Sequence, residues 1–247
     1  MAIDEAIGSL ATDQPIRAMN MSFGAPDNGD YDNPVRIACR AAIEKNIWIS
    51  AAAGNDGPEP TTITTPACER YVFATGSIKY TLPDQITISE FSSRGPTLEG
   101  LVKPDYATIG ENLPVASSES DTATIGKSGT SFSTPITTGQ MLCHFEAMDR
   151  IAATGKPVTW LSTPEGIVPS YVGTVSIADG MDLWGPRLSI KPSGAPLEKD
   201  NDYGYGMTFG PLFAEIVRTI GVKMPSFEMI IPIFILGMMG MMVKGFK

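Results

Sequence analysis

Short stretches of this sequence combine a serine, an asparagine and several glycines in ways that suit nucleophilic chemistry. Residues 128–135 read SGTSFSTP and place Ser131 at the start of an apolar helical pattern. A serine hydroxyl is a poor nucleophile until a base takes its proton, and a neighbouring helix N-terminus stabilises negative charge. Asn55 stands between Gly54 and Gly57 after an apolar run, and MNMSFG (19–24) leads into a glycine turn.

Each of these stretches has a simpler interpretation when taken alone. Gly129-Thr130-Ser131 is also typical of a helix cap, because Ser and Thr satisfy the free N–H groups at helix starts. Asn55-Asp56-Gly57 is equally typical of a turn. Their meaning therefore depends on the elements that position them.

Apolar runs indicate a βαβ unit around these stretches. Residues Ile16–Ser22 and Ile47–Ala53 predict buried strands of a parallel sheet, and Val35–Lys45 predicts the helix between them. The carboxyl ends of parallel strands and the amino ends of the following helices gather on one side of such a sheet. We therefore expect all three stretches to meet in one crevice.

Other segments complete the predicted architecture. Residues Ala152–Asp202 are loop-like. The further elements are amphipathic helices at 1–11 and 212–220, strands at Tyr71–Gly76 and Ile86–Phe91, and an apolar helix at Thr130–Ala147.

Composition excludes several classes of protein. The chain has 247 residues, which suits one main domain, and a formal charge of −9, which argues against nucleic-acid binding. Its three cysteines, Cys39, Cys68 and Cys143, give no disulfide framework and are expected to be small buried residues. His144 is the single histidine, so a His-rich zinc site cannot be built.

The motifs, taken in order, resemble those of the subtilisin-like serine proteases, the subtilases. The resemblance rests on MNMSFG, AAAGNDG (51–57), FSSRGP (91–96), KPD (103–105), SGTSFSTP and Gly204-Tyr205-Gly206. It implies an α/β fold of three layers, with helices on both faces of a mostly parallel sheet and truncated at the N-terminal side. Residues 1–223 would form a partial catalytic domain, with 152–202 as an irregular insertion.

The resemblance also implies roles for individual residues and a protein or peptide substrate. Ser131 would be the nucleophile, and Asn55 would donate a hydrogen bond to the oxyanion. Ser22, Phe23 and Gly24, together with Ala53 and Gly54, would form the backbone rails that hold an extended peptide. Asp56 either biases the adjoining pocket toward basic or polar side chains or is a solvated turn residue. No cofactor and no metal is required for this chemistry.

The aspartate and histidine that complete a subtilase triad are missing, because the family carries both upstream of the Ser22 strand. His144 lies thirteen residues after Ser131 in the predicted helix and is expected to be an ordinary core or surface residue without a catalytic role. We therefore expect this chain alone to be inactive. Either a complementary N-terminal fragment supplies both residues, or the chain is a pseudoprotease that binds peptides without cutting them. Without the family's front strands, the sheet should also expose an apolar edge.

Two peripheral segments carry further expectations. Asp27, Asp30 and Asp32 supply closely spaced oxygen ligands for a structural calcium ion, although an acidic solvated turn fits them better. The hydrophobic tail, 224–247, contains fifteen uncharged residues at 229–243 followed by lysines. We interpret it as a short membrane helix with snorkelling ends, with a buried or partner-binding segment as the alternative. A membrane-anchored or extracellular location follows from the tail and the resemblance.

Overall fold

A computed structural model describes residues 2–13, 16–81, 85–153, 162–163, 166–167, 189–192, 195–196 and 198–208. Side chains of helix α3 (Thr130–Ala153) are described as far as Leu142. The other helices are α1 (Ala2–Gly8) and α2 (Pro34–Glu44), with a 3-10 turn at Ser9–Ala11. The strands are β1 (Ala18–Met21), β2 (Trp48–Ala52), β3 (Phe73–Thr81), β4 (Gln85–Ile88), β5 (Tyr106–Ile109), β6 (Leu113–Ala116), β7 (Thr124–Lys127), β8 (Ser162–Thr163), β9 (Gly166–Ile167), β10 (Ser189–Ile190) and β11 (Met207–Thr208).

A mostly parallel sheet organises the first of two compact units, which holds the described residues up to Leu142 and from Ser189 to Thr208. Its strand order is β1-β2-β3-β5-β11-β10, and β4 pairs antiparallel with β3. The β1, β2, β3 and β5 strands run parallel to one another. This arrangement confirms the predicted α/β class. The second unit contains residues 143–153 of α3 and the β8–β9 hairpin among its described residues.

Strand β2 lies between β1 and β3 in the sheet and is buried, as its apolar run predicts. All five of its residues are buried, because neighbouring strands flank it and both faces are covered. Met21 of β1 lies opposite Ala51 of β2, so the residues that follow both strands emerge at the same edge. The predicted convergence of the MNMSFG and AAAGNDG stretches is confirmed.

Helix α2 crosses between the first two strands. Asn33 caps it by accepting a hydrogen bond from the Val35 N–H, and Pro34 occupies its first turn, where no donor is required. The helix buries Cys39, Ala42 and Ile43. Cys39 and Cys68 are free and buried, in agreement with the sequence.

The prediction that the first strand is buried was wrong. Of β1 only Met21 is buried, while Ala18 and Met19 are half-buried and Asn20 is exposed. The reason is position: among the described residues β1 pairs with β2 alone, so it is an edge strand. The expected exposed edge is therefore present in this part of the chain.

Some predictions fall partly or wholly on residues that the structure does not describe. The helix at 212–220 and the tail at 224–247 lie outside the described residues, as does most of 152–202. In the described part of the chain, no helix combines the length and the apolarity that crossing a membrane requires.

Candidate active site

Ser131 is held at the start of α3 by a reciprocal pair of hydrogen bonds to the end of β1. Its hydroxyl donates to the Ser22 carbonyl at 3.0 Å, and the Ser22 hydroxyl donates to the Ser131 carbonyl at 2.9 Å. These bonds join residues 109 positions apart in the chain. They place the serine hydroxyl at the edge of the sheet where β1 and β2 end.

The acceptor of the Ser131 hydroxyl is not a base. A peptide carbonyl accepts a hydrogen bond but does not take up the proton, and no imidazole or carboxylate bonds to this hydroxyl among the described residues. His144 belongs to the same helix, and its side chain lies outside the described residues. In the described part of the chain, the hydroxyl is therefore positioned but has no base to take its proton.

Asn55 is oriented by two bonds that both go to its side-chain oxygen. Oδ1 accepts from the Thr130 backbone N–H at 2.9 Å and from the Thr130 hydroxyl at 3.0 Å. Its Nδ2 has no partner among the described residues, and neither has the backbone N–H of Ser131 in the first turn of α3. Two N–H donors are therefore left available beside the serine hydroxyl, the arrangement that an oxyanion hole requires.

Asn20 belongs to the same network, which sequence reasoning missed. Its Nδ2 donates to the Ser22 hydroxyl at 2.9 Å, and its Oδ1 accepts from Thr138 of α3 at 3.3 Å. The Ser22 hydroxyl is therefore held in place by Asn20, which is itself held by Thr138. A polar residue inside the apolar run of β1 was the signal that could have identified it.

A small cavity of about 190 Å³ adjoins these groups. Its lining includes five of the seven residues predicted for the site, together with four others. The nine are Phe23, Gly24, Ala52, Gly54, Asn55, Asp56, Thr64, Thr130 and Ser131.

The two predicted rails differ in how much of their backbone is free. Ala53 donates to the Thr75 carbonyl and accepts from the Thr64 N–H, at 3.0 and 2.9 Å, so its backbone is engaged within the fold. The backbone groups of Phe23 and Gly24 have no hydrogen-bond partner among the described residues. The Phe23-Gly24 side is therefore better prepared to pair with an extended chain.

Glycine is required on both sides of the cavity. A Cβ at Gly24 would lie 2.4 Å from the Thr64 hydroxyl, and one at Gly54 would lie 2.5 Å from that of Ser93. Gly54 also has a φ of +117°, which side-chain-bearing residues rarely adopt. Thr64 and Ser93 can therefore lie against these two backbone positions because neither carries a side chain.

The KPD stretch forms a buried ion cluster that supports the sheet. Lys103 and Lys199 each contact the Asp105 carboxylate at 2.6 Å. Burial lowers the pKa of Lys103, and the neighbouring Asp105 charge opposes that shift. The Tyr205 N–H donates to the Asp105 carbonyl at 2.8 Å, so Gly204-Tyr205-Gly206 packs on the same cluster.

The acidic loop between Gly24 and Pro34 is occupied by local turns. Asp27 Oδ1 accepts from the Gly29 N–H and from the Thr65 hydroxyl, and Asp30 Oδ1 accepts from the Asp32 N–H. Within the described ranges, no group of three or more His, Cys, Asp or Glu side chains is arranged to hold a metal ion. The side chains therefore act as turn acceptors.

The fold and the site define an α/β protein with a serine at a helix N-terminus beside a small cavity. The subtilase family model matches residues 1–206. The chain therefore belongs to the subtilase family.

Individual relatives agree with this assignment. The serine protease AprX of Bacillus subtilis (strain 168) is 33% identical over 145 residues, which cover 51% of this chain and 33% of AprX. The human membrane-bound transcription factor site-1 protease is 31% identical over 130 residues, or 50% of this chain and 12% of that protein. The matches thus span a third or less of these relatives.

Solved structures share the fold. The prenylagaramide maturation protease PagA superposes with a TM-score of 0.58 at 22% identity, covering 87% of this chain and 66% of PagA. Sphericase gives a TM-score of 0.54 at 20% identity, with 84% and 60% covered.

Proposed function

We propose that this chain is the nucleophile-bearing part of a serine endopeptidase. Ser131 would attack the peptide bond, and Asn55 would stabilise the oxyanion. The aspartate and histidine of the triad would come from a segment outside this sequence, on the same longer chain or on a separate one. The observation that carries this proposal is the placement of the Ser131 hydroxyl beside two unpaired N–H donors.

The proposed chemistry follows from these contacts. When an imidazole replaces the Ser22 carbonyl as the acceptor, it takes the Ser131 proton while Oγ bonds to the substrate carbonyl carbon. The carbonyl oxygen becomes negatively charged and accepts from Asn55 Nδ2 and from the Ser131 N–H. Collapse releases the amine with the transferred proton, and water then hydrolyses the acyl-enzyme.

The open edge of β1 supports the proposal that another segment completes the sheet. Its residues Ala18 and Met19 are only half-buried, and Ile16 just before them is 41% exposed. Unpaired N–H and C=O groups on such an edge pair readily with an added strand. A strand added there would lie on the side of the sheet where Ser22 holds the Ser131 hydroxyl.

A catalytically inactive peptide-binding module is the second candidate. It is favoured by the carbonyl acceptor of the Ser131 hydroxyl, which provides no route for the proton. In this case the free backbone of Phe23 and Gly24 would bind an extended peptide as an added strand, and no bond would be cut.

Co-expression separates the two candidates. The chain is produced with the upstream genomic segment that encodes a triad aspartate and histidine, and hydrolysis of a casein substrate is measured. Cleavage that is lost in Ser131→Ala and kept in Ser128→Ala, an exposed serine three residues earlier, supports the enzyme. A complex that forms without Ser131-dependent cleavage supports the binding module.

The tail at 229–243 remains a predicted membrane anchor. One relative is named membrane-bound transcription factor site-1 protease, and this similarity supports a membrane or extracellular location. Alkaline carbonate extraction of membranes from expressing cells tests it. The intact chain should stay in the pellet, and a chain ending at residue 223 should not.

A further inference from the structure

Ser93 is a fully buried serine that contacts the turn carrying Asn55. Its N–H donates to the Gly54 carbonyl at 3.0 Å, and its hydroxyl accepts from the Asp56 N–H at 3.1 Å. One residue therefore bonds to the peptide groups on both sides of Asn55. Because two flanking peptide planes define the φ and ψ of the residue between them, these bonds fix the direction in which the Asn55 side chain leaves the backbone.

The two bonds differ in whether another group can replace them. The Gly54 carbonyl also lies 3.3 Å from the Thr130 hydroxyl, which donates to it. The Asp56 N–H has no other acceptor among the residues that the structure describes. The Ser93 hydroxyl therefore holds the Asp56 side of the turn by itself, and it lies so close that a Cβ at Gly54 would come within 2.5 Å of it.

The far end of the Asn55 side chain is held by a different residue. Thr130 donates to Oδ1 through its backbone N–H and through its hydroxyl. These bonds select the rotamer of the side chain, but they do not set the position of the Asn55 Cα, from which the side chain starts. The position of Nδ2 therefore depends on both Thr130 and Ser93, and a small displacement of such a group lowers a reaction rate strongly.

We infer that Ser93 is a positioning residue, which aims the Asn55 amide at the oxyanion by holding the backbone on both sides of it. The inference rests on the proposed function, since it assumes that Asn55 stabilises an oxyanion. Ser93 is not among the residues that line the cavity, so it acts through Asn55 and not on the substrate. Loss of its hydroxyl should lower kcat by about two- to tenfold, the range for one hydrogen bond.

The test uses the complex of the full chain with the segment that carries the triad aspartate and histidine. The kcat and KM of wild type and Ser93→Ala are measured on a fluorogenic peptide that the wild type cleaves, per active site titrated with a fluorophosphonate. The kcat should fall while KM stays the same, because the bond to the oxyanion is made in the transition state. Should Ser93→Ala not fold, Ser93→Cys replaces it with the same expectation, since its sulfur is a weak acceptor.

Ser92→Ala is the matched control. Ser92 is as buried as Ser93, and its hydroxyl accepts from the Ser77 N–H of β3 at 3.0 Å instead of from the turn. Both substitutions therefore remove one buried acceptor of a backbone N–H. They should lower the free energy of unfolding by similar amounts, measured by urea denaturation, whereas Ser92→Ala should leave kcat unchanged.

A double substitution shows whether Ser93 acts through Asn55. In Asn55→Ala the side-chain amide is already absent, so its backbone no longer has an amide to aim. Adding Ser93→Ala to this variant should therefore lower kcat no further, whereas two independent losses would multiply.

The outcomes separate this inference from the proposed function. If the wild-type complex cleaves and Ser93→Ala keeps the full kcat, this inference is overturned while the endopeptidase stands. The same conclusion follows if Ser92→Ala loses as much activity, or if the loss from Ser93→Ala persists in full without the Asn55 amide. If the wild-type complex forms and cleaves nothing, the proposed function fails and this inference fails with it.

Discussion

Removing Asp105 should cost more stability than any other single change in the ion cluster. The Asp105 side chain is fully buried and accepts from three donors: Lys103, Lys199 and the Ala74 N–H at 2.8 Å. Lys103 is itself only 1% exposed. Asp105→Ala would leave a buried ammonium group without its counter-charge, which costs about 3–5 kcal/mol, so we expect a loss near 4 kcal/mol.

Substitutions of other charged residues near this cluster should lower the free energy of unfolding much less, because their side chains are more exposed. Lys199→Met leaves Lys103 on the carboxylate, and the Lys199 side chain is 22% exposed, so a loss below about 1 kcal/mol is expected. Asp202→Ala is the matched control, since it removes a carboxylate that is 49% exposed and lies 3.4 Å from Arg94. It should also cost at most about 1 kcal/mol.

Urea denaturation followed by circular dichroism measures these differences as shifts in the free energy of unfolding. A typical domain has a free energy of unfolding of roughly 5–15 kcal/mol, so a loss of about 4 kcal/mol can prevent the Asp105→Ala variant from folding. In that case Asp105→Asn replaces it, because the amide oxygen still accepts the hydrogen bond from Ala74. Losses for Asp105→Ala and Asp202→Ala that agree within error would refute the reasoning.

Three further predictions concern the site and the core. In a complex that cleaves peptides, Asn55→Ala should lower kcat by about 10²–10³-fold, the range for one oxyanion-hole donor in a subtilisin, with little change in KM; an unchanged kcat would contradict the assigned role. Asn20→Ala should lower kcat in the same complex while Asn20→Ser restores part of it, because a hydroxyl can still donate to Ser22; equal losses in both variants would point to general destabilisation. Burial raises the pKa of Cys39 to about 12 from its usual 9.0, so the folded state keeps a proton that the unfolded state loses, and the free energy of unfolding should fall as pH rises from 9 toward 12; a Cys39→Ala variant should show a smaller fall.

Local motifs were enough to predict several residues that the structure brings together at the cavity. Ser131 and Asn55 each lie in a short, distinctive motif, and the uninterrupted apolar sequence of β2 predicted that this strand is buried. Such signals depend on a few adjacent residues, which one sequence contains in full.

Features that depend on distant neighbours could not be predicted in the same way. The exposure of β1 follows from which strands flank it, whereas its own mostly apolar run predicted burial. The hydrogen bonds from Thr138 to Asn20 and from Asn20 to Ser22 connect residues more than a hundred positions apart. The roles of Lys199 and Thr64 likewise depend on tertiary contacts that no local pattern contains.

The most direct measurement is the rate at which a fluorophosphonate forms an adduct with Ser131, followed by mass spectrometry of the full chain. Because the Ser131 hydroxyl donates to a carbonyl and not to a base, the chain alone should react no faster than Ser131→Ala. With the segment that carries the aspartate and histidine bound, the adduct should form on Ser131. Equally fast labelling of the chain alone, or no labelling of a complex that has formed, would contradict this account.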